Sequence, residues 1–201
     1  MDRVFLLSPA NMSGVRGRLV TRAGAEFDLA VRLRQEGATL GDVFSFISGL
    51  YFRGKSMYAS AFAAPPPGAP GSLVITAGRG LLPPETLIHV GDLLAIAEVP
   101  IDLADARYRD PLIRDALSLN QSLPPSCAVV LLGSIATSKY LEPLLDIFGS
   151  RLLIPSEFIG RGDMSRGGLM LRCARERAEL DYIPASAAVR RGRRPPKLSK
   201  I

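Results

Sequence analysis

The densest group of reactive side chains in the chain is Arg161-Gly162-Asp163-Met164-Ser165-Arg166-Gly167-Gly168. It joins two guanidiniums, a carboxylate and a hydroxyl to glycines that admit a ligand close to the backbone. Arginine holds phosphate or carboxylate in a bidentate fork, so Arg161 and Arg166 are candidate anion-binding residues. Asp163, together with Glu157 just upstream, is the candidate general acid or base. The competing reading is a tight turn whose charges face water.

Two further clusters share these ingredients. Ser8, Asn11, Ser13 and Arg16 lie in a stretch of small and polar residues that matches neither the dinucleotide fingerprint nor the P-loop spacing. Ser134, Thr137 and Lys139 stand where a helix is predicted to start, and free amides at such a start attract anions. Thr137 or Ser138 serves equally as an ordinary helix cap. Arg79 follows a third apolar run and completes the candidate phosphate contacts. With one histidine, His89, and no serine or cysteine elbow, a hydrolase triad of the usual kind is not expected. Two cysteines, Cys127 and Cys173, read as buried reduced thiols, and no ligand spacing suggests a metal or another cofactor.

Four apolar runs must position these clusters: Val4–Leu7, Leu73–Thr76, Val129–Leu132 and Leu152–Ile154. Runs of this length suit strands buried on both faces, as in a parallel sheet. Ligands in open α/β sheets bind outside the carboxyl ends of the strands, which is where the four loops would gather. Helical spacing predicts helices over 25–35, 51–63, 104–120 and 139–148, with 42–47 a short helix or turn, Pro111 a kink or restart and Gly149 a stop. Part of 87–101 is expected to add a strand. Residues 169–173 and 180–184 alternate with period two and predict a C-terminal β-hairpin. The rival is one helix from 163 to 180, which Gly167-Gly168 disfavours. The expected fold is a Rossmann-like three-layer α/β domain with a mostly parallel sheet, spanning 1–189, followed by a tail at 190–201.

Leu50-Tyr51 ahead of a helix, and the run Leu73-Val74-Ile75-Thr76-Ala77-Gly78-Arg79-Gly80-Leu81-Leu82-Pro83-Pro84, resemble the peroxide-stress YaaA family and its small phage and bacterial relatives. There a strand ending in serine-alanine or serine-glycine leads to a Tyr-Gly-Leu-Leu-x-Pro turn. Thr76-Ala77 and Gly80-Leu81-Leu82 stand at those places, and Arg79 replaces the tyrosine. The resemblance covers about half the chain. It implies a Rossmann-like body and a link to DNA or oxidative stress, and it transfers no catalytic residue.

Hydrophobic residues make up 47% of the 201 and charged residues 22%, the balance of a folded chain. No apolar run approaches the ~20 residues that cross a bilayer, and no signal-peptide core is visible, so a cytoplasmic location is expected. The net charge of +6 sits in the tail, where Arg190, Arg191, Arg193, Arg194, Lys197 and Lys200 have no acid among them. Such a tail suits a polyanion, or it is a solubilising end. Three functions follow: a nucleic-acid- or nucleotide-binding protein, an enzyme on nucleotides or modified bases, or a subunit whose tail docks on an acidic protein partner.

Overall fold

The computed structural model describes residues 1–134, 138–188 and 195–196. In chain order the elements are β1 (Arg3–Leu7), α1 (Val15–Thr21), α2 (Asp28–Gln35), β2 (Ala38–Thr39), α3 (Leu40–Ser48), α4 (Leu50–Phe62), β3 (Ser72–Thr76), β4 (Gly80–Leu82), β5 (Leu87–Ile88), α5 (Val90–Glu98), α6 (Ala106–Ser122), β6 (Ala128–Leu132), α7 (Ser138–Phe148), β7 (Leu152–Pro155), α8 (Asp163–Glu176) and β8 (Tyr182–Pro184). The six-stranded sheet runs β4-β3-β1-β6-β7-β8. Its inner strands β3, β1, β6 and β7 are parallel, and the two edge strands β4 and β8 are antiparallel to their neighbours. β2 and β5 pair separately.

The apolar runs form the inner strands because both their faces are covered. Val4–Leu7 are wholly buried, and every residue of β6 is buried. α4 packs on β1 and on α8, while α6 packs on β3, β4 and α7, which gives helix, sheet and helix layers. From β1 the chain crosses to β3 on one side and later to β6 on the other. The strand order therefore reverses between β1 and β6, and the loops leaving their carboxyl ends part there.

Three expectations change. Arg16 and Arg18 lie on α1, not in a loop. The segment 87–101 supplies only the two residues of β5 before turning into α5. Residues 169–173 belong to helix α8, so the C-terminal antiparallel pair is β7 with β8, joined through a helix instead of a hairpin turn. The alternation of Leu169, Leu171 and Cys173 was compatible with either period. The buried set is Arg166, Leu169, Met170 and Cys173, which is helical spacing.

Candidate functional site

The site begins with a contact between two glycines. A Cβ on Gly54 would lie 2.6 Å from the Gly167 carbonyl oxygen, and one on Gly167 would lie 2.7 Å from the Leu50 carbonyl oxygen. Helices α4 and α8 thus cross backbone to backbone, which only glycine at both positions permits. Gly167, one of the two glycines that argued against a helix, is what the helix pair requires. The crossing brings Tyr51 and Lys55 of α4 up against Asp163 and Arg166 of α8, beside the end of β1.

Lys55 is fully buried. Its Nζ donates to the Ser8 carbonyl and lies 2.9 Å from Ser8 Oγ. It also sits 4.5 Å and 4.7 Å from the ring centroids of Tyr51 and Phe52, so two aromatic faces replace part of its hydration. Burial pushes its pKa down from 10.5 to about 7, with the Asp163 carboxylate pulling the other way. Ser8 is held from the far side as well. Tyr140, on α7, accepts from the Ser134 amide at 2.9 Å and hydrogen-bonds with Ser8. Burial raises the Tyr140 hydroxyl above its ordinary value, and these two bonds oppose the rise.

Above this cluster a cleft of about 440 Å³ opens at the point where the strand order reverses. Its floor includes Ser8, Tyr51 and Tyr140, and its walls carry Arg16, Lys139 and Asp163. The N-termini of three helices reach it: α4 through Tyr51, α7 through Lys139 and Tyr140, and α8 through Asp163 and Met164. Each directs the positive end of its dipole there. The Tyr51 hydroxyl is buried without a hydrogen bond of good geometry. Burial raises its pKa most, while Arg166 lowers it and Asp163 raises it further. A second hollow of about 230 Å³ adjoins the cleft, sharing Pro9, Asn11, Ile101 and Lys139, and is walled by Phe44, Ile96 and Val99. A depression of similar size elsewhere, about 430 Å³, is lined by Thr39, Asp42, Ser45 and Glu85 with no cation.

The structure brings together Ser8, Asn11, Arg16, Ser134, Lys139 and Asp163 around the cleft, with Ser13 in the adjoining hollow. Asn11 Oδ1 accepts from the amide and hydroxyl of Ser13, which shapes the turn after β1. Four candidates stand elsewhere. Arg166 is only 6% exposed and is committed internally: its guanidinium donates to the Phe158 carbonyl at 3.0 and 3.2 Å and pairs with Asp163 at 3.3 Å. It is a fold determinant that orients Asp163, not a free anion contact. Arg161 reaches Ser165 Oγ and the Pro196 carbonyl, each at 3.4 Å, away from the cleft lining. Glu157 lies in the 3-10 turn Ser156–Phe158, where its carboxylate accepts from Ser156 Oγ and faces Cys173. Arg79 pairs with Asp92 at 2.7 Å and ties the β3–β4 turn to α5. The Gly80-Leu81-Leu82 turn is likewise structural: the Leu81 amide donates to Asp115 of α6 at 3.0 Å. Thr137, Arg190, Arg191, Arg193 and Arg194 lie outside the described residues.

Sequence reading missed Lys55 and gave Tyr51 no part in the site. One signal was present: a lysine four residues after Tyr51 and three after Phe52, on the face of a helix that otherwise turns inward. Among the described residues no group of three histidine, cysteine or acidic side chains is placed to hold a metal ion. No described helix is long and apolar enough to cross a membrane. Comparison with protein-family models, with curated proteins and with solved structures finds no match.

Proposed function

We propose that this protein binds a nucleotide, or a small phosphate-bearing molecule like one, in the strand-end cleft. The observation that carries the reading is the convergence of three helix N-termini with Arg16 and Lys139 on one cleft, beside a hollow walled by apolar side chains. Amides and dipoles at the helix starts suit phosphate oxygens. The apolar hollow suits a base or another flat apolar group. Val15 and Met164, 73% and 65% exposed on the rim, offer further apolar surface to such a ligand. The volume lies in the range of small-molecule sites, about 300–1,000 Å³, which favours a mononucleotide over a polymer. The buried Tyr51 hydroxyl, on a residue of the cleft lining, supplies a further donor for such a ligand.

Calorimetric titration with nucleoside mono-, di- and triphosphates tests the reading. Arg16→Ala and Lys139→Ala should each weaken binding by about 1.5–3 kcal/mol, the worth of a charge-assisted contact. Both side chains are exposed on the surface of the fold, so melting should shift little. Absence of heat and of thermal stabilisation with all of these ligands would refute the proposal.

A further inference from the structure

A lysine that only braces a strand end needs the Ser8 carbonyl. Lys55 also holds Ser8 Oγ, at 2.9 Å, and Ser8 lines the floor of the cleft. Tyr140 bonds with Ser8 and is itself fixed by the Ser134 amide. A hydroxyl on a residue that lines a cleft, a nitrogen base within hydrogen-bond reach and a third group that orients the hydroxyl make up an activated nucleophile. The surrounding helix N-termini and the Tyr51 hydroxyl offer donors to an oxygen that gains charge during attack.

We propose that Ser8 and Lys55 are a nucleophile–base pair that hydrolyses carboxylic esters of phosphate-bearing alcohols. The phosphate part of this substrate class rests on the anion-binding reading of the cleft; the nucleophile does not. The neutral Lys55 amine takes the Ser8 hydroxyl proton as the Oγ–carbonyl bond forms. The ester C–O bond breaks, and the departing alkoxide takes that proton from the Lys55 ammonium. Water then attacks the acyl-Ser8 carbon and gives a proton to Lys55. That proton passes to Ser8 Oγ as the Oγ–carbon bond breaks. One ester and one water become one carboxylic acid and one alcohol, with Ser8 and Lys55 restored.

The dry setting of Lys55 fits the role of base, because burial brings its pKa to about 7 and leaves the neutral amine populated at neutral pH. The ionisable groups around it are Tyr51 on its own helix, Tyr140 on α7, and Asp163 and Arg166 on α8. Of these Asp163 holds the proton on Lys55.

The test is reaction of the full chain with a neutral alkyl fluorophosphonate, read by peptide mass spectrometry, and with p-nitrophenyl acetate. The expected result is one adduct, on Ser8, with fluoride displaced, and a burst of nitrophenolate. The labelling rate should rise with pH and inflect near 7, the value given for Lys55. Lys55→Met should slow labelling by roughly 100-fold. No adduct on Ser8 of the folded wild-type chain overturns the proposal, and so does a rate that ignores pH between about 6 and 9. If Lys55→Met fails to fold, the wild-type pH profile still decides. Neither reagent carries an anionic phosphate, so failure here leaves nucleotide binding standing, and the reverse also holds.

Discussion

Lys55 is costly to bury, and its hydrogen bonds to Ser8 only partly offset the lost hydration. That cost depends on pH. Between about 7 and the ordinary lysine value of 10.5, the unfolded chain holds a proton that folded Lys55 has released. Stability therefore rises with pH through that window, and below it both states are protonated and the contribution is constant. Burial also raises Cys127 and Cys173, which oppose the trend once unfolded thiols ionise. Melting temperature should accordingly climb from about pH 6.5 to 8.5 in the wild-type chain and flatten in Lys55→Met. An equal climb in both would place the titration elsewhere. Arg166 makes a second residue-level case. Arg166→Ala strands the Phe158 carbonyl and empties a buried volume, so it should cost about 2–3 kcal/mol of stability by denaturant midpoint. Arg161→Ala, with two long hydrogen bonds, should cost under about 1 kcal/mol.

At the scale of elements the α4–α8 crossing does most to build the site. Gly54→Ala or Gly167→Ala would drive a methyl into backbone, which cannot rotate away, and should lose about 1–3 kcal/mol or more. Ligand binding should fall with it, because both helix starts move. Gly91→Ala on α5 meets open space and serves as the control, with stability unchanged or slightly raised on urea unfolding. The same crossing shows what the sequence could and could not convey. Strands β1, β3, β6 and β7 were legible because burial on both faces leaves an unbroken apolar run. The cleft was legible in place, since loops leave parallel strands at one edge. Helix α8 was not, because Gly167 and Gly168 disfavour an isolated helix and only the partner helix explains Gly167. Lys55 was not either: its spacing from Tyr51 and Phe52 was the one local signal, and residue type alone does not separate a lysine under a strand end from one in water. Arg79 and Arg166 have the residue types of anion contacts, but Asp92 and the Phe158 carbonyl claim them.

For the whole molecule, the reversal of strand order between β1 and β6 sets the place of the cleft proposed for a small ligand, while the sequence adds six basic residues over 190–200. If the chain binds a polyanion through those six charges, counterion release should give steep salt dependence. Deleting 190–201 should flatten the log–log salt slope for single-stranded nucleic acid by up to about 5 units. Affinity for a mononucleotide in the cleft should stay within about twofold, a change under RT and so below one lost contact. If the deletion abolishes mononucleotide binding, the tail and not the cleft is the site.

In the proposed complex, phosphate sits at the helix starts beside β1 and β6. Backbone amide shifts in a titration with a nucleoside diphosphate test it most directly. The largest, saturable shifts are expected at Gly14, Ser134, Tyr140 and Asp163, with the apolar hollow near Ala97 and Val99 responding to the base but not to inorganic pyrophosphate. Shifts confined to residues 190–201, or spread over the surface without saturation, would contradict it.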